Sequence, residues 1–188
     1  MKKILIVSAT PRKNRNSDIL ADQAVAGARA AGAQVEKVRL ADLKIGCCKA
    51  CGACQKSLVA PCVQKDDMAK LLPKLLEADA VVFASPIYFF SVSGQMKTFL
   101  DRTYALGGGN DWSAMSGKRA GLLFTYAEPN ALYSGVVNAF QMFQGAFEFL
   151  GIELVDCVHA ACGEAGEVRS NEAAMTAAED LGRKLAAS

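Results

Sequence analysis

The sequence lacks any long uncharged hydrophobic run, and this absence excludes two classes of protein. A membrane-spanning helix needs about 18 or more consecutive apolar residues, and no segment of the 188 residues provides them. The apolar run from Ile4 to Val7 is short and is soon followed by Arg12, whereas a secretory signal peptide needs roughly 7–15 apolar residues. We therefore expect a cytoplasmic protein with no membrane partner, and we interpret the run as a buried strand.

A large excess of charge of either sign is also absent. The chain has 21 lysines and arginines against 19 aspartates and glutamates, for a formal net charge of +2. The charges are interspersed and form no basic stripe or tail, so we expect no nucleic-acid partner. The single histidine, His159, has no triad partners near it in the sequence, and we interpret it as structural.

The glycine patterns that bind nucleotide phosphates are missing as well. The loop after the first predicted strand contains no glycine, so it is neither a P-loop nor a G-x-G-x-x-G turn. The segment at 116–119 has a Gly-Lys pair but lacks the Walker spacing and the serine or threonine after the lysine. We therefore do not expect ATP binding.

What the sequence does contain is an alternation of apolar, β-rich runs with helical patterns. We predict strands at 3–7, 34–40, 80–84, 120–126 and 152–160. Helices are predicted at about 17–31, 66–77, 94–106, 129–150 and 171–186. Strands separated by helices favour a parallel sheet covered on both faces. We therefore predict one α/β domain over residues 1–188, a flavodoxin-like, doubly wound, five-stranded parallel sheet with strand order 2-1-3-4-5.

In such sheets, ligands bind beyond the carboxyl ends of the strands, where the strand order reverses. This rule selects the loops at 8–16, 85–90 and 127–129. The first loop leads into a helix N-terminus, whose free N–H groups and partial positive charge favour a phosphate. It also carries side-chain donors, namely Ser8, Thr10, Arg12, Asn16 and Ser17. The alternative is an ordinary polar loop with no ligand.

Two motifs in these loops resemble the NADPH-dependent FMN reductase superfamily. The first is the S-x(2)-P-R-x(3)-N-S run that begins at Ser8. The second is the P-x-Y-x(5)-G-x(2)-K-x-F-x-D-R run that extends from Pro86 to Arg102. The resemblance covers nearly the whole chain. We interpret Lys97, Asp101 and Arg102 as a charged helix face with a structural role, since surface ion pairs are common.

The resemblance implies that the chain binds FMN, with NAD(P)H as a transient co-substrate. The FMN phosphate is expected near Ser8, Thr10, Arg12, Asn16 and Ser17. The isoalloxazine ring is expected against Pro86, Ile87, Tyr88 and Phe89, with a third ligand loop formed by Tyr126, Ala127 and Glu128. No catalytic side chain is expected, because the flavin itself carries the hydride chemistry.

Seven cysteines are present, and five of them, from Cys47 to Cys62, fall within 16 residues. In a reducing compartment such a cluster indicates metal, iron–sulfur or redox chemistry. Closely spaced C-x(2)-C-x(2)-C runs are a usual source of iron–sulfur ligands, and the loop at 46–62 resembles the compact motif of iron–sulfur flavoproteins, a branch of the same superfamily. That resemblance implies a [4Fe-4S] cluster, for which we choose the ligands Cys48, Cys51, Cys54 and Cys62.

Three other interpretations of the cysteine loop stay open. A structural zinc site is one, although the Cys54–Cys62 spacing is wide for a zinc knuckle. A thiol–disulfide couple is another, since Cys48 and Cys51 have the C-x(2)-C spacing. The third is a set of free thiols with no ligand.

The predicted helix at 129–150 carries one apolar stripe, formed by Leu132, Val136, Phe140, Phe143, Phe147 and Leu150. Glu148 is its only charged residue, whereas a surface helix normally has a charged opposite face. We therefore expect that face to be buried against a second subunit, in a homodimer or homotetramer.

These observations lead to one function and two alternatives. The first is an FMN-dependent oxidoreductase that passes electrons from NAD(P)H to a quinone, flavin, metal ion or other small-molecule acceptor. The second is an iron–sulfur electron carrier that relays electrons between a ferredoxin-like partner and FMN. The third is a flavin-binding regulator switched by zinc or by thiol oxidation.

Overall fold

The computed structural model describes residues 1–56 and 62–187, and its centre is a parallel β-sheet. The sheet strands are β1 (Lys3–Ser8), β2 (Gln34–Arg39), β3 (Ala80–Tyr88), β5 (Arg119–Tyr126) and β6 (Glu153–Ala161), in the order β2-β1-β3-β5-β6. A two-residue strand, β4 (Ser91–Val92), pairs antiparallel with the end of β3. If the parallel strands alone are numbered, β5 and β6 become the fourth and fifth strands. The order is then the predicted 2-1-3-4-5.

The described part of the chain has six α-helices, which flank or follow these strands. They are α1 (Asn16–Ala30), α2 (Met68–Glu77), α3 (Gly94–Arg102), α4 (Ala131–Ser134), α5 (Val136–Leu150) and α6 (Glu172–Ala186). Among the described residues, no helix is both long enough and apolar enough to cross a lipid bilayer.

The core consists of two apolar layers, one on each face of the sheet. Successive side chains of a strand point to opposite faces, so Leu5 and Val7 join the layer under α2 and α5, while Ile4 and Ile6 join the layer under α1 and α6. The continuous apolar run in β1 is therefore explained by burial on both faces.

The predicted helix at 129–150 is wrong in one respect, because it is broken at Gly135. This glycine has φ +87°, a conformation that L side chains rarely adopt. A Cβ at Gly135 would lie 2.3 Å from the Cα of Phe90, so the break also allows two backbones to approach closely. Leu132, assigned to the buried stripe, lies before the break and is 75% exposed.

Two predicted helix starts are also shifted. Helix α1 begins at Asn16 with Arg15 as its N-cap residue, so Ser17 lies inside the first turn. Helix α2 begins at Met68, and Asp66 accepts a hydrogen bond from the Met68 N–H at 3.1 Å.

Candidate functional site

A pocket of about 260 Å³ lies at the carboxyl edge of the sheet, where the three predicted loops meet. The loop after β1, the end of β3 and the end of β5 all contribute to its wall. The predicted site residues that line it are Thr10, Arg12, Asn16, Ser17, Pro86, Ile87, Tyr88, Tyr126 and Ala127. The strand reversal between β1 and β3 therefore places segments that are distant in sequence around one cavity.

Three predicted site residues do not line this pocket. Ser8 is fully buried beneath the first loop. Phe89 is 96% exposed at the tip of the β3–β4 hairpin. Glu128 is exposed, and its Oε1 accepts a hydrogen bond from the Asn130 N–H at 3.2 Å.

Ser8 belongs to a buried polar network that supports the first loop from below. Its hydroxyl donates to Asp18 Oδ1 at 2.9 Å, and the Asn14 N–H donates to Asp18 Oδ2 at 3.1 Å. Lys37 Nζ lies 2.8 Å from Asp18 Oδ1. Burial by itself would raise the pKa of Asp18, but the hydrogen bonds from Lys37, Asn14 and Ser8 together lower it. Asp18 is therefore ionised at neutral pH and fixes the loop that passes above it.

The N-terminus of α1 faces the pocket. The side chain of its N-cap residue, Arg15, does not accept a hydrogen bond from the first backbone N–H groups of the helix. Ser17 Oγ lies 2.7 Å from Thr125 Oγ1, and both residues line the pocket. Only one hydroxyl of such a pair can donate to the other, so the other retains a proton for a ligand. Arg12 and Arg15 also line this end of the pocket, and their positive charge favours an anion there.

Asn16 is used differently from the way the sequence predicts. Its side-chain amide donates to the Glu164 carbonyl at 2.8 Å, and its Oδ1 accepts from the Gly166 N–H at 2.8 Å. It therefore ties α1 to the loop that follows β6. That loop adds a fourth wall to the pocket, formed by Cys162, Gly163, Glu164 and Ala165.

These four residues, with Arg15 and Thr125, were missed as pocket residues by sequence analysis. A signal existed for the loop, because it follows the carboxyl end of the last parallel strand and contains two glycines within residues 162–166. Ligand sites of open parallel sheets lie at that edge.

The β3–β4 hairpin borders the pocket and has a strained backbone. Phe89 and Phe90 have φ values of 46° and 68°, in the left-handed region that bulky residues rarely adopt. Their rings contact each other edge-on with centroids 5.7 Å apart. Gly135 packs against the Phe90 backbone, and Asn138 Nδ2 donates to the Phe90 carbonyl at 3.2 Å. The hairpin is thus held in place from the α4–α5 junction.

Tyr126 lies at the pocket edge and also contacts the only histidine. Its hydroxyl is 2.8 Å from His159 Nδ1. Burial raises the pKa of Tyr126, with a smaller contribution from the nearby Cys162 and Cys157. The phenol therefore stays protonated throughout the physiological range.

The cysteine-rich loop is a second, separate feature, and most of its thiols face solvent. Cys47, Cys48 and Cys51 are exposed, while Cys54 and Cys62 are partly buried. Residues Ala50 and Gly52 both have positive φ, which curls the chain between the second and fourth cysteines. Within residues 1–56 and 62–187, no three histidine, cysteine or acidic side chains are gathered closely enough to hold a metal ion. Pro61 and its four preceding residues lie outside the described part.

Arg102 was predicted to belong to an exposed charged face, and this prediction is wrong. The residue is only 2% exposed. Its Nη1 donates to Asp66 Oδ2 at 2.5 Å and to the Gly46 carbonyl at 2.8 Å. Its Nη2 donates to Asp66 Oδ1 at 3.0 Å and contacts Cys62 Sγ at 3.5 Å. By contrast, Lys97 and Asp101 do form the expected surface ion pair.

The Arg102–Asp66 pair has a clear electrostatic signature. The hydrogen bond from Arg102 lowers the pKa of Asp66 against the opposing effect of burial, and the Gly46 and Met68 N–H groups lower it further. The same hydrogen bond raises the pKa of Arg102. Both groups are therefore charged at neutral pH, in a geometry with two parallel N–H···O contacts.

A further cavity, of about 180 Å³, lies on the α5 side of the sheet. Its wall is almost entirely apolar and includes Phe83, Trp112 and Phe147. Lys97 and Asp101 reach its edge, but they are already paired with each other. This wall suits an anionic ligand less well than the pocket at the sheet edge, where two arginines and the Ser17–Thr125 hydroxyl pair line the wall.

Comparison with protein families gives one match that extends over most of the chain. Residues 2–178 match the model of the family described as NADPH-dependent FMN reductase. This agrees with the resemblance seen in the two loop motifs, and the predicted superfamily is confirmed.

Individual relatives and solved structures agree with this match. An iron-sulfur flavoprotein of Archaeoglobus fulgidus is 38% identical over 125 residues, which cover 66% of this chain and 54% of the relative. The match thus spans about half of that relative's length. The Trp repressor binding protein from Bacillus subtilis superposes with a TM-score of 0.71 at 26% identity, over 96% of this chain and 98% of that one. A NAD(P)H:quinone oxidoreductase from Methanothermobacter marburgensis shares the fold, with a TM-score of 0.75 at 16% identity over 100% and 98% of the two chains.

Proposed function

Since the chain belongs to the NADPH-dependent FMN reductase family, we propose that it binds FMN and transfers electrons from NAD(P)H to a quinone, flavin, metal ion or other small acceptor. The observation that carries this proposal is the pocket at the sheet edge. Its walls combine an uncapped helix N-terminus with a strand end that contributes an aromatic side chain. A flavin mononucleotide has the matching parts, an anionic phosphate and a flat ring.

The phosphate is assigned to the α1 end of the pocket. The first backbone N–H groups of α1 and the Ser17–Thr125 hydroxyl pair provide neutral donors, and Thr10 lies beside them. Arg12 adds a positive charge at the rim, where its Nη2 contacts the Tyr88 hydroxyl at 3.4 Å. Ser8 and Asn16 act indirectly, because their side chains bond Asp18 and the loop after β6.

The ring is assigned to the wall formed by the end of β3 and the end of β5, with the residues Pro86, Ile87, Tyr88, Tyr126 and Ala127. When bound, FMN supplies the hydride chemistry, and the protein supplies placement and an environment for the ring. Phe89 lies on the exposed hairpin tip beside this wall, so its proposed role is at the mouth of the pocket. Glu128 holds the turn into α4 through Asn130.

Reduction by a pyridine nucleotide tests the proposal directly. The FMN-loaded protein is mixed anaerobically with NADH or NADPH in a stopped-flow instrument, and the flavin absorbance is followed. We expect bleaching by at least one of the two nucleotides within the time of a catalytic turnover. A flavin that binds but is reduced by neither nucleotide would rule out the oxidoreductase activity and leave electron carriage as the function.

A second candidate function is an electron carrier with a [4Fe-4S] cluster held by Cys48, Cys51, Cys54 and Cys62. The relatives named iron-sulfur flavoproteins favour it. The chemistry of the donor set also fits, since four thiols occur within residues 48–62, the backbone curls between Cys48 and Cys54, and a buried guanidinium contacts the Cys62 sulfur. Such a carrier would exchange electrons with a ferredoxin-like protein. The cluster, when assembled, would supply one-electron transfer.

Metal analysis separates this candidate from the other interpretations of the loop. Anaerobically purified protein is assayed for iron, acid-labile sulfide and zinc, together with its ultraviolet–visible spectrum. About four iron atoms per chain with equal sulfide supports the cluster. Zinc at one per chain supports a structural site, and the absence of both metals supports a thiol couple or free thiols.

We also propose that the protein is a homodimer or homotetramer. The exposed apolar side chains near the pocket support this, since Phe89, Phe90, Leu132 and Tyr133 are each more than half exposed. Exposed apolar patches of this kind are typical of subunit contacts. Sedimentation velocity at micromolar concentration tests the proposal, and a single monomeric species would contradict it.

A further inference from the structure

Three contacts fasten the cysteine-rich loop to one helix and the turn that follows it. Cys47 Sγ lies 3.8 Å from Thr98 Oγ1 on α3. Gln55, the neighbour of Cys54, donates from Nε2 to the Tyr104 carbonyl at 2.7 Å, just after α3. Cys62 contacts Arg102 at the end of α3. The described residues of the loop therefore contact α3 and the turn after it, and the deepest of these contacts is the one made by Arg102.

Arg102 joins the two ends of the loop at their base. Asp66, its ion-pair partner, follows the last cysteine and also accepts a hydrogen bond from the Gly46 N–H at 3.0 Å. Arg102 donates to the carbonyl of the same glycine, which precedes the first cysteine. Gly46 is thus bonded through both its N–H and its carbonyl to the Arg102–Asp66 pair.

Further hydrogen bonds on either side of the Gly46–Asp66 pair support this closure. The Lys44 N–H donates to Asp67 Oδ2 at 2.8 Å, and the Asp67 N–H donates to the Lys44 carbonyl at 3.0 Å. Gln64 Nε2 donates to the Cys47 carbonyl at 3.1 Å. These bonds are near the surface, whereas Arg102 is buried. Water therefore competes least for the hydrogen bonds of the guanidinium.

The third nitrogen of this guanidinium, Nε, has a different environment from Nη1 and Nη2. Within the described part of the chain, Arg102 Nε is buried and has no hydrogen-bond partner. A buried unpaired donor on a charged group is costly, and another nitrogen of the same group, Nη2, contacts the Cys62 sulfur at 3.5 Å. An anionic group next to the Cys62 sulfur would be stabilised electrostatically by this positive charge.

We propose that Arg102 is a positioning residue, which joins the residues at the base of the cysteine-rich loop, 44–47 and 62–67, to the end of α3 and fixes Cys62 as a sulfur ligand before metal and sulfide arrive. The inference rests on the second candidate function, the iron–sulfur carrier. It also gives a role to the second half of the motif that extends from Pro86 to Arg102. One end of that motif lines the pocket, and the other end holds the cysteine loop. The nine residues of α3 between them span roughly 13 Å at about 1.5 Å per residue.

The first arm of the test measures the closure itself. The full chain, its Arg102→Gln variant and a control variant, Lys97→Gln, are compared by hydrogen exchange and mass spectrometry. Lys97 is on the same helix and carries the same charge, but its ion pair is at the surface. We expect amides at 44–47 and 62–67 to exchange about tenfold faster in Arg102→Gln, with no change in Lys97→Gln.

The second arm measures the sulfur site. Each protein is reconstituted anaerobically with ferrous iron and sulfide, and iron retention against a chelator is followed with the midpoint potential. We expect Arg102→Gln to lose iron about tenfold faster. We also expect its cluster to have a lower potential, because a donor to a ligand sulfur stabilises the more negative, reduced state. A general loss of packing would not predict a potential shift.

The two arms keep the outcomes distinguishable. If the wild-type chain takes up no iron, the carrier function fails, and the exchange arm still decides whether Arg102 holds the loop. If Arg102→Gln does not fold, Arg102→Lys decides, since lysine keeps the charge but cannot bond Asp66, Gly46 and Cys62 together. Wild-type exchange, iron retention and potential in a folded Arg102 variant would overturn the proposal.

Discussion

The pocket at the sheet edge and the cysteine-rich loop differ in how the chain holds their functional groups. The pocket is built from strand ends and a helix N-terminus, so the sheet itself fixes its walls. The described residues of the loop are instead held by side-chain hydrogen bonds to α3 and the turn after it. Its exposed thiols are not gathered within the described residues, whereas the pocket already has its shape. The pocket is thus preorganised by topology, whereas side-chain contacts hold the cysteine-rich loop at its base.

The largest expected effect is a difference in thiol reactivity between the cysteine-rich loop and Cys157, which lies on the sheet strand β6. Burial, with a smaller contribution from Asp156, raises the pKa of Cys157 to about 12. An ordinary thiol has a pKa of about 8.5, so at pH 8 the thiolate fraction of Cys157 is roughly a thousandfold smaller. We expect iodoacetamide to modify exposed Cys51 in metal-free protein long before Cys157, as followed by peptide mass spectrometry. Equal rates for the two thiols would contradict the assigned burial.

A negative charge inside the pocket should abolish the preference for a phosphorylated flavin. In Ser17→Asp, the carboxylate would occupy the end of the pocket assigned to the phosphate, and we expect FMN affinity to fall about 100-fold. Riboflavin, which has no phosphate, should lose far less affinity. Flavin fluorescence titrations measure both, with Ser170→Asp on the exposed turn before α6 as the control. Equal losses for FMN and riboflavin would show that the phosphate lies elsewhere.

The Asp18 network beneath the first loop should make the stability of the protein depend on pH. The pKa of Asp18 is lower in the folded chain than in the unfolded chain, where it is about 3.9. The ionised Asp18 therefore stabilises the fold fully above about pH 3.9. This stabilisation is lost as the pH falls through the folded-state pKa. At pH 7, Asp18→Asn should lower the free energy of unfolding by about 2 kcal/mol. Urea denaturation should show this difference shrinking below about pH 4.

Asp22→Asn is the matched control for that experiment. Asp22 also contacts Lys37, but its side chain is 54% exposed, so its loss should cost less than about 0.5 kcal/mol. A difference between wild type and Asp18→Asn that stays constant down to pH 3 would contradict the lowered pKa.

Arg12 should contribute a smaller, salt-dependent part of the same phosphate recognition. The side chain is at the rim, where solvent weakens its electrostatic attraction. We expect Arg12→Ala to reduce FMN affinity about tenfold at low salt and less at high salt, with riboflavin binding unchanged. Lys13→Ala, which removes an exposed cation facing Asp42, should leave both affinities as they are.

The sequence is informative about the sheet and the three loops because their signals are local. The apolar run from Ile4 to Val7 marks a strand buried on both faces, and the rule for parallel sheets then locates the site. The roles of Asn16 and Arg102 could not be predicted in the same way. Their partners, Glu164 and Asp66, are 148 and 36 residues away in sequence. Only the folded arrangement determines which side chains are used for such distant contacts.

The break at Gly135 shows a related limit. A glycine within a periodic apolar pattern is compatible with a continuous helix, and its cost there is only about 1 kcal/mol relative to alanine. The reason for the break lies in another segment, the Phe90 backbone that approaches Gly135. The hydrophobic stripe therefore predicted most of α5 correctly but not its start.

The left-handed conformation of Phe89 and Phe90 has a consequence for directed evolution of this protein. Left-handed backbone costs a bulky residue roughly 1–2 kcal/mol, and glycine avoids that cost. A variant library screened only for heat resistance should therefore enrich glycine at these two positions. A screen for flavin-dependent colour in live cells should retain the aromatic rings instead. Sequencing the variants that survive each screen would separate the contribution of the turn to thermal stability from its contribution to flavin binding.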